Sequence, residues 1–424
     1  MEEKYNKFSL KIKYIKLIFI IYCIIFYNYF YHSHNTNINT LNNESVSTNQ
    51  TSRKNETKNM SIFEQIQEYI LMNENGTLIN NINSFKRSDF PKISISISVY
   101  NGELFIKQAV RSIQNQNFTD IEIIIVDDNS NDNSISIIKE LMKEDPRIIL
   151  LTNNENKGAL YTKTKGILNS KGKYVLSLDV DDMYSDENCF SILYEEAEKN
   201  DLDILGFSSI ISQLNITKKE KKWIHRYNYI PLLHQPNISS MMYINNGKEI
   251  QRIGDVIWCY LFKTEFFKSV ILNEIDQKYL NRIMNVHDDF LLLFILTRKA
   301  KSYKCIKKIF HFCRVKTPNK ALINYNIIKR KLAEKYNCLA YLYYSEFILS
   351  KTDNNYKDKL IASAEFNRWY LDNKKCNNNT NIINQGIYVS NLFLNNSYIN
   401  NETKTKINLF LKNLNKTIYH SNIF

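Results

Sequence analysis

Ile121-Glu-Ile-Ile-Ile-Val-Asp-Asp-Asn-Ser130 is the stretch that decides the fold. Its first six residues are almost all branched apolar side chains, and turn-forming polar residues stop the run. That pattern predicts a short strand buried on both faces, as in a parallel sheet covered by helices. Upstream, residues 93–99 alternate Ile and Ser before ending in Val, and Tyr100-Asn-Gly102 follows, which reads as strand and then turn. Between the two strands, apolar residues at 105, 106, 109, 110 and 113 have helical spacing. Downstream the same alternation continues: helix over 135–142, strand over 148–151, helix over 160–168, and strand over 174–178 running into Asp179-Val-Asp-Asp182. Strands alternating with helices predict an α/β fold built on a mostly parallel sheet.

The polar residues of this region fall in one place. Tyr100, Asp127, Asp128, Asp179, Asp181 and Asp182 all follow the carboxyl ends of predicted strands, the edge at which open α/β sheets bind ligands. No Gly-x-Gly-x-x-Gly follows the first strand, so a dinucleotide-type phosphate cradle is absent. Asp179, Asp181 and Asp182 lie within four residues, and like charges that close raise one another's pKa. A hard divalent cation, Mn2+ or Mg2+, relieves the repulsion and prefers one or two carboxylates together with diphosphate oxygens. The competing reading is a solvated turn before a helix capped by Ser185 or Asp186.

Charge supports the metal reading over a nucleic-acid one. The chain of 424 residues has a net charge of +13, yet residues 92–200 hold 12 basic and 18 acidic side chains. A module that grips phosphate backbones needs a basic face, and the region richest in motifs is acidic. No nucleic-acid partner is expected.

Four motifs together, Ser94-Ile-Ser-Ile-Ser-Val-Tyr-Asn-Gly102, Ser112-Ile-Gln-Asn-Gln116, Ile121 to Ser130 and Leu178-Asp-Val-Asp-Asp182, resemble family 2 glycosyltransferases of the GT-A fold in order and spacing. The resemblance covers about residues 92–320. It implies transfer of a sugar from a nucleotide-sugar donor with inversion at the anomeric carbon. By the same resemblance Tyr100 lies at the nucleotide pocket, Asp128 accepts a hydrogen bond from the base, Asp181 lies near the ribose or sugar, and Asp182 ligates the metal with Asp179 beside it. Asn156-Lys-Gly158 through Gly166 matches a region that usually reads Asn-x-Gly and then Ala-Arg-Asn-x-Gly; here Thr162-Lys163-Thr164 stands in place of Ala-Arg-Asn. Lys163 can still meet a phosphate, as a point charge without arginine's bidentate fork.

Inverting transfer needs a general base apart from the metal ligands. Val286-His287-Asp288-Asp289-Phe290 opens an apolar helix where family members carry Glu-Asp, so Asp289 takes the position of the base and Asp288 is its alternative. An ordinary helix N-cap is the bland reading of the same pair. Ile309-Phe-His311-Phe-Cys-Arg314-Val-Lys316 is expected to follow the last strand, with His311 either a metal ligand or a packed core residue, and Arg314 and Lys316 offered to phosphate. Trp258 reads equally as an acceptor platform and as core.

Both ends extend beyond this unit. Residues 17–31 are apolar and uncharged, and Lys4, Lys7, Lys11, Lys13 and Lys16 precede them. This predicts a single-pass type II membrane protein with a cytoplasmic tail over 1–16, a transmembrane signal anchor over 17–31 and a luminal catalytic domain, in the Golgi or ER. Residues 32–90 read as a luminal stem, 91–320 as the catalytic domain and 321–424 as a mostly helical extension. Asn-x-Ser/Thr sequons recur from Asn43 to Asn415 and fit a luminal location. The expected activity is metal-assisted transfer from a nucleotide sugar, taken as a UDP-sugar, to a glycan on protein or lipid. Its rival is a catalytically inactive, membrane-tethered sugar- or nucleotide-binding protein on the same fold.

Overall fold

The structure is a computed structural model that describes residues 62–78, 80, 85–213, 223–225, 230–235, 238, 243–245, 250–252, 256–284, 288–316, 340–351, 362, 366, 380–395 and 401–421. The expected tail, anchor and first half of the stem, the pair Val286-His287 and residues 317–339 lie outside the described residues. No helix among the described residues is long and apolar enough to cross a membrane.

The chain forms two units, Met1–Glu68 and Tyr69–Phe424. In the first, the described residues are the opening turns of helix α1 (Ile62–Glu74). The second is organised by a mixed sheet. In chain order its elements begin β1 (Ile93–Val99), α2 (Ile106–Gln114), β2 (Ile121–Asp127), α3 (Ser134–Glu144), β3 (Ile148–Thr152), α4 (Ala159–Asn169), β4 (Tyr174–Asp179), β5 (Met183–Tyr184) and α5 (Cys189–Asn200). They continue with β6 (Ile204–Gln213), β7 (Trp223–His225), β8 (Ile230–His234), β9 (Tyr243–Asn245), β10 (Ile250–Arg252), β11 (Tyr260–Lys263), α6 (Thr264–Glu274), α7 (Gln277–Leu280), α8 (Asp288–Lys299) and β12 (Ser302–Lys316). Helices α9 (Thr380–Leu394) and α10 (Asn401–Ser421) follow.

The sheet runs β3-β2-β1-β4-β11-β6-β12-β5, with β7 on β6 and β8 on β12. Strands β3, β2, β1 and β4 are parallel, as the alternating pattern predicts, while β11 inserts antiparallel between β4 and β6. Every residue of β2 is buried. The Ile and Ser alternation of β1 has a different consequence, because Ser94 and Ser96 are as buried as the isoleucines. Small side chains on that face let α4 come close: a Cβ added at Gly166 would lie 2.0 Å from Ser96 Oγ. Lys163 precedes Gly166 by three residues and so shares its helix face. The serines of β1 thereby aim Lys163 at the sheet.

Residues 309–316 lie inside β12 rather than after it, which corrects the expected strand end. The strand is extended because it pairs on both edges, parallel to β6 and antiparallel to β5 and β8.

Candidate active site

The carboxyl edge of the parallel strands carries the acidic side chains. Asp179 ends β4, pairs in register with Ser98 of β1, and its carbonyl accepts from Asp182 N at 3.0 Å, which folds Asp179 to Asp182 into a tight turn. Gly102 closes against this turn, since a Cβ there would lie 2.6 Å from Val180 Cγ2. Tyr100-Asn-Gly and Asp-Val-Asp-Asp are thus packed together, with Tyr100 partly exposed beside them.

Beyond the turn, β5 pairs with β12 in a register that sets His311 opposite Tyr184 and Phe312 opposite Met183. One step further, Arg314 N donates to Asp182 Oδ1 at 3.0 Å. Asp182 Oδ2 lies 3.4 Å from His311 Nε2. His311 is fully buried, its Nδ1 is 2.9 Å from Ser209 Oγ, and its ring stacks on Trp258 at 4.1 Å between centroids and 14° between planes. Burial pushes the Asp182 carboxyl up, His311 pulls it down, and Asp181 and Asp179 push it up again.

The other wall comes from α8. Asp288 and Asp289 open this helix and are both buried, although most of its other residues are apolar. Asp289 Oδ2 accepts from Ile257 N at 3.2 Å, in the turn that also carries Trp258. Lys163 Nζ lies between the two walls, 2.7 Å from Asp289 Oδ1, 2.9 Å from Asp288 Oδ2 and 3.3 Å from Asp179 Oδ1. Only the Asp289 contact also has hydrogen-bond geometry; Asp288 Oδ2 is near the cation without a directed bond. Burial opposes the charge on Lys163, but Asp179, Asp288 and Asp289 more than offset it and hold the ammonium well above the usual lysine range. Burial pushes Asp289 up, Lys163 pulls it back, and Asp288 and Asp179 raise it further, to about 8.

The contacts form a closed circuit: Asp182, His311, Trp258, the Ile257 turn, Asp289, Lys163, Asp179 and back through the Asp179–Asp182 turn. Asp179, Asp182, Asp288, Asp289, Lys163 and His311 are brought together in this way, and Asp181 acts on Asp182 through its charge. Lys163, expected at a phosphate, sits among carboxylates instead. Trp258 is largely buried against His311, so the stacking partner it has here is an imidazole. Asp128 acts on a neighbouring loop. Its Oδ1 accepts from Asn153 Nδ2 and Lys157 N, both at 2.8 Å, and its Oδ2 accepts from Gly158 N at 2.9 Å. That clamp fixes the start of α4 and hence Lys163. The side chain of Lys316 is outside the described residues. Cys189 and Cys305 are buried free thiols.

Among the described residues no group of three or more His, Cys, Asp or Glu is arranged to hold a metal ion. The donor atoms fit one that completes its shell with substrate. His311 Nε2 is buried without a hydrogen-bond partner, and it faces Asp182, whose burial makes an uncompensated charge costly. Mg2+ and Mn2+ sites of this kind use one or two protein ligands and take the rest from phosphates and water.

Residues 94–260 match the family model described as Glycosyl transferase family 2. The chain carries a family 2 glycosyl transferase domain. Within it fall Tyr100, Asp128, Lys163, Asp179, Asp181, Asp182 and Trp258; Asp289, His311 and Arg314 lie beyond it and reach the site through the fold. Among relatives, the glycosyl transferase domain is similar to the GalNAc(5)-diNAcBac-PP-undecaprenol beta-1,3-glucosyltransferase of Campylobacter jejuni, 34% identical over 130 residues, 30% of this chain and 42% of that one. It is also similar to the uncharacterized glycosyltransferase EpsJ of Bacillus subtilis, 31% identical over 189 residues, 43% of this chain and 51% of that one. The chain therefore spans about half the length of these relatives, or less. Solved structures that resemble it include Staphylococcus aureus TarS 1–349, at 15% identity and a TM-score of 0.47 over 71% of this chain and 80% of that one. Another is the mannosyltransferase PcManGT of Pyrobaculum calidifontis in complex with GDP-Man and Mn2+, at 11% identity and a TM-score of 0.44 over 82% of this chain and 92% of that one.

Proposed function

We propose that the protein is an inverting glycosyltransferase that moves a sugar from a nucleotide-sugar donor, a UDP-sugar, to a hydroxyl of a glycan acceptor. The observation that carries this reading is the buried circuit itself: Asp179 at the end of β4 and the two carboxylates opening α8 are tied across the site by one ammonium. Isolated buried carboxylates are costly, and a fold keeps such a set when the charges have work to do.

In this reading Asp289 is the general base. A carboxyl raised to about 8 is a far better proton acceptor than an ordinary aspartate, which is what removal of an acceptor hydroxyl proton requires. Ile257 N and Lys163 fix its two oxygens, so one lone pair can be aimed at the acceptor. The acceptor oxygen attacks the anomeric carbon from the side opposite the diphosphate, the bond to the diphosphate breaks, and the hydroxyl proton passes to Asp289. Asp182 and His311, with Asp181 and Asp179 nearby, would hold Mn2+ or Mg2+, which when bound neutralises charge on the departing diphosphate. Tyr100 flanks the nucleotide, and Asp128 meets the base while its clamp on residues 153–158 shapes the pocket.

The anchor over 17–31 and its flanking lysines support a single-pass type II placement with the catalytic domain in the Golgi or ER lumen. A panel of nucleotide sugars incubated with the full chain in detergent, with and without Mn2+, tests the reading through release of nucleoside diphosphate. Metal-dependent release from one donor, abolished in Asp182→Asn, is the expected result. Binding of a donor without release on any acceptor would favour a tethered binding protein.

A further inference from the structure

The end of α1 lies in the span read as stem and precedes the stretch that matches the family. Tyr69 OH donates to Ser112 O at 3.1 Å, and Gln108 Nε2 donates to Glu74 O at 3.1 Å. Asn115 Nδ2 donates to Asn73 Oδ1 at 2.8 Å and Thr77 O at 2.9 Å, and Asn80 Nδ2 reaches Gln114 O at 2.6 Å. The Tyr69 and Asn80 bonds satisfy carbonyls at the end of α2, and the Gln108 bond satisfies the last carbonyl of α1, groups that a helix cannot satisfy internally, so residues 69–80 are docked by a fitted polar seam.

At this docked end, Glu74 is the last residue of α1, where the helix dipole disfavours an anion. Its partner explains its presence. Arg314 Nη2 donates to Glu74 Oε1 at 3.2 Å, and the guanidinium lies 4.8 Å over the Phe105 ring with its side chain only 3% exposed. Arg314 Nε and Nη1 are buried without hydrogen-bond partners, so among the described residues Glu74 is the carboxylate that pairs with that charge. The main chain of the same arginine donates to Asp182 Oδ1.

We propose that Glu74 is a positioning residue: by fixing the Arg314 side chain it fixes the Arg314 amide against Asp182, and so makes residues 69–74, just before the transferase domain, part of the donor side of the site. The inference rests on the proposed donor-side role of Asp182. Removing the anion leaves a buried guanidinium uncompensated, and Arg314 then shifts toward water, carrying its amide off Asp182.

The test uses the full chain in detergent with selectively 15N-labelled arginine. The Arg314 amide is followed by hydrogen exchange, and Mn2+ affinity by quenching of tryptophan fluorescence, since Trp258 stacks on His311 beside Asp182. In Glu74→Gln, exchange at Arg314 is expected to accelerate and Mn2+ to bind more weakly, each by roughly tenfold, the scale of one charge-assisted hydrogen bond. Glu74→Asp should recover part of both. Tyr69→Phe is the control, because it loosens the same seam and lowers Tm while leaving the ion pair, and it should leave both readouts within about twofold. Unchanged exchange at Arg314 in Glu74→Gln overturns the proposal, as does an equal change in Tyr69→Phe. If the wild-type chain binds no Mn2+ yet exchange still accelerates, the positioning role stands and the metal assignment of the site falls.

Discussion

The Lys163 ammonium lies 2.7 Å from Asp289 Oδ1, joining two side chains 126 residues apart in the chain. The contact sets the electrostatics of the site from within. An ammonium shared by Asp179, Asp288 and Asp289 compensates these carboxylates from within, so the divalent cation proposed above has its place where Asp182 and His311 face each other.

Lys163→Met keeps the length of the side chain and removes its charge. Taking one partner from a buried ion pair typically costs about 3–5 kcal/mol, so a clear fall in the urea midpoint is expected. The deficit should grow as the pH rises, because Asp289, already raised to about 8 beside the ammonium, is neutral at low pH and charged at high pH. In kinetics, kcat should fall much more than the donor KM rises. A lysine acting by contact with phosphate would show the opposite split.

Asp289→Asn should lower kcat by about a hundred- to ten-thousand-fold, the usual contribution of a general base, with little change in donor affinity. In the wild-type enzyme the base is active when deprotonated, so kcat/KM should rise with pH and level off above about 8. The same shift affects stability. The folded-state value lies above the ordinary aspartate value near 3.9, so the contribution is full below that value and is lost as pH climbs through 8. A pH–rate profile without a limb near 8 would remove Asp289 from this role.

The parallel half of the fold was legible because strand period, helix period and turn residues agree over residues 93–179. Each element there depends on local pattern and burial, which a linear sequence carries. The antiparallel half was not. Strand β11 inserts between β4 and β6, and β12 extends through His311, by pairings made between distant segments that leave no periodic trace. The site divided in the same way. Asp179, Asp181 and Asp182 announced themselves by spacing, and Asp289 by its place at a helix start. That Lys163 would bridge them depends on how closely α4 approaches β1, and the only local hint was the serine face of β1 opposite Gly166. Glu74 gave no signal, because its meaning comes from Arg314, 240 residues away.

Gly166→Ala tests how close packing of α4 sets the site. The new methyl group would lie 2.0 Å from Ser96 Oγ, so the helix must move off the strand and take Lys163 with it. A loss of about 1–3 kcal/mol is expected from overpacking of this kind, with reduced kcat. Ser96→Ala removes the oxygen and leaves a contact of 3.2 Å to the Ser96 Cβ, so the double variant should recover part of both losses. Strict additivity in the double-mutant cycle would mean that the two positions do not meet.

Glu346 links the helical extension to the catalytic body, and it makes acid the natural way to separate them. Its buried carboxylate accepts from Arg282 Nη1 at 2.7 Å and Gln385 Nε2 at 2.7 Å, with Lys278 Nζ at 3.3 Å. Burial opposes its charge, but Arg282, Gln385 and Lys278 outweigh burial and hold the carboxyl below the usual glutamate range. A depressed value means that its stabilisation is present above the unfolded-state value near 4.3 and disappears as pH falls through the folded one. Glu346→Ala should cost about 1–3 kcal/mol, discounted because Arg282 is partly open to water, and should expose α9 to limited proteolysis at neutral pH. The wild-type chain should reach the same cleavage pattern only in acid, once the pH has fallen below the unfolded-state glutamate value and through the depressed folded one. Equal protease resistance of α9 in both proteins at neutral pH would show that apolar packing around Phe366 and Phe393, rather than Glu346, holds the extension in place.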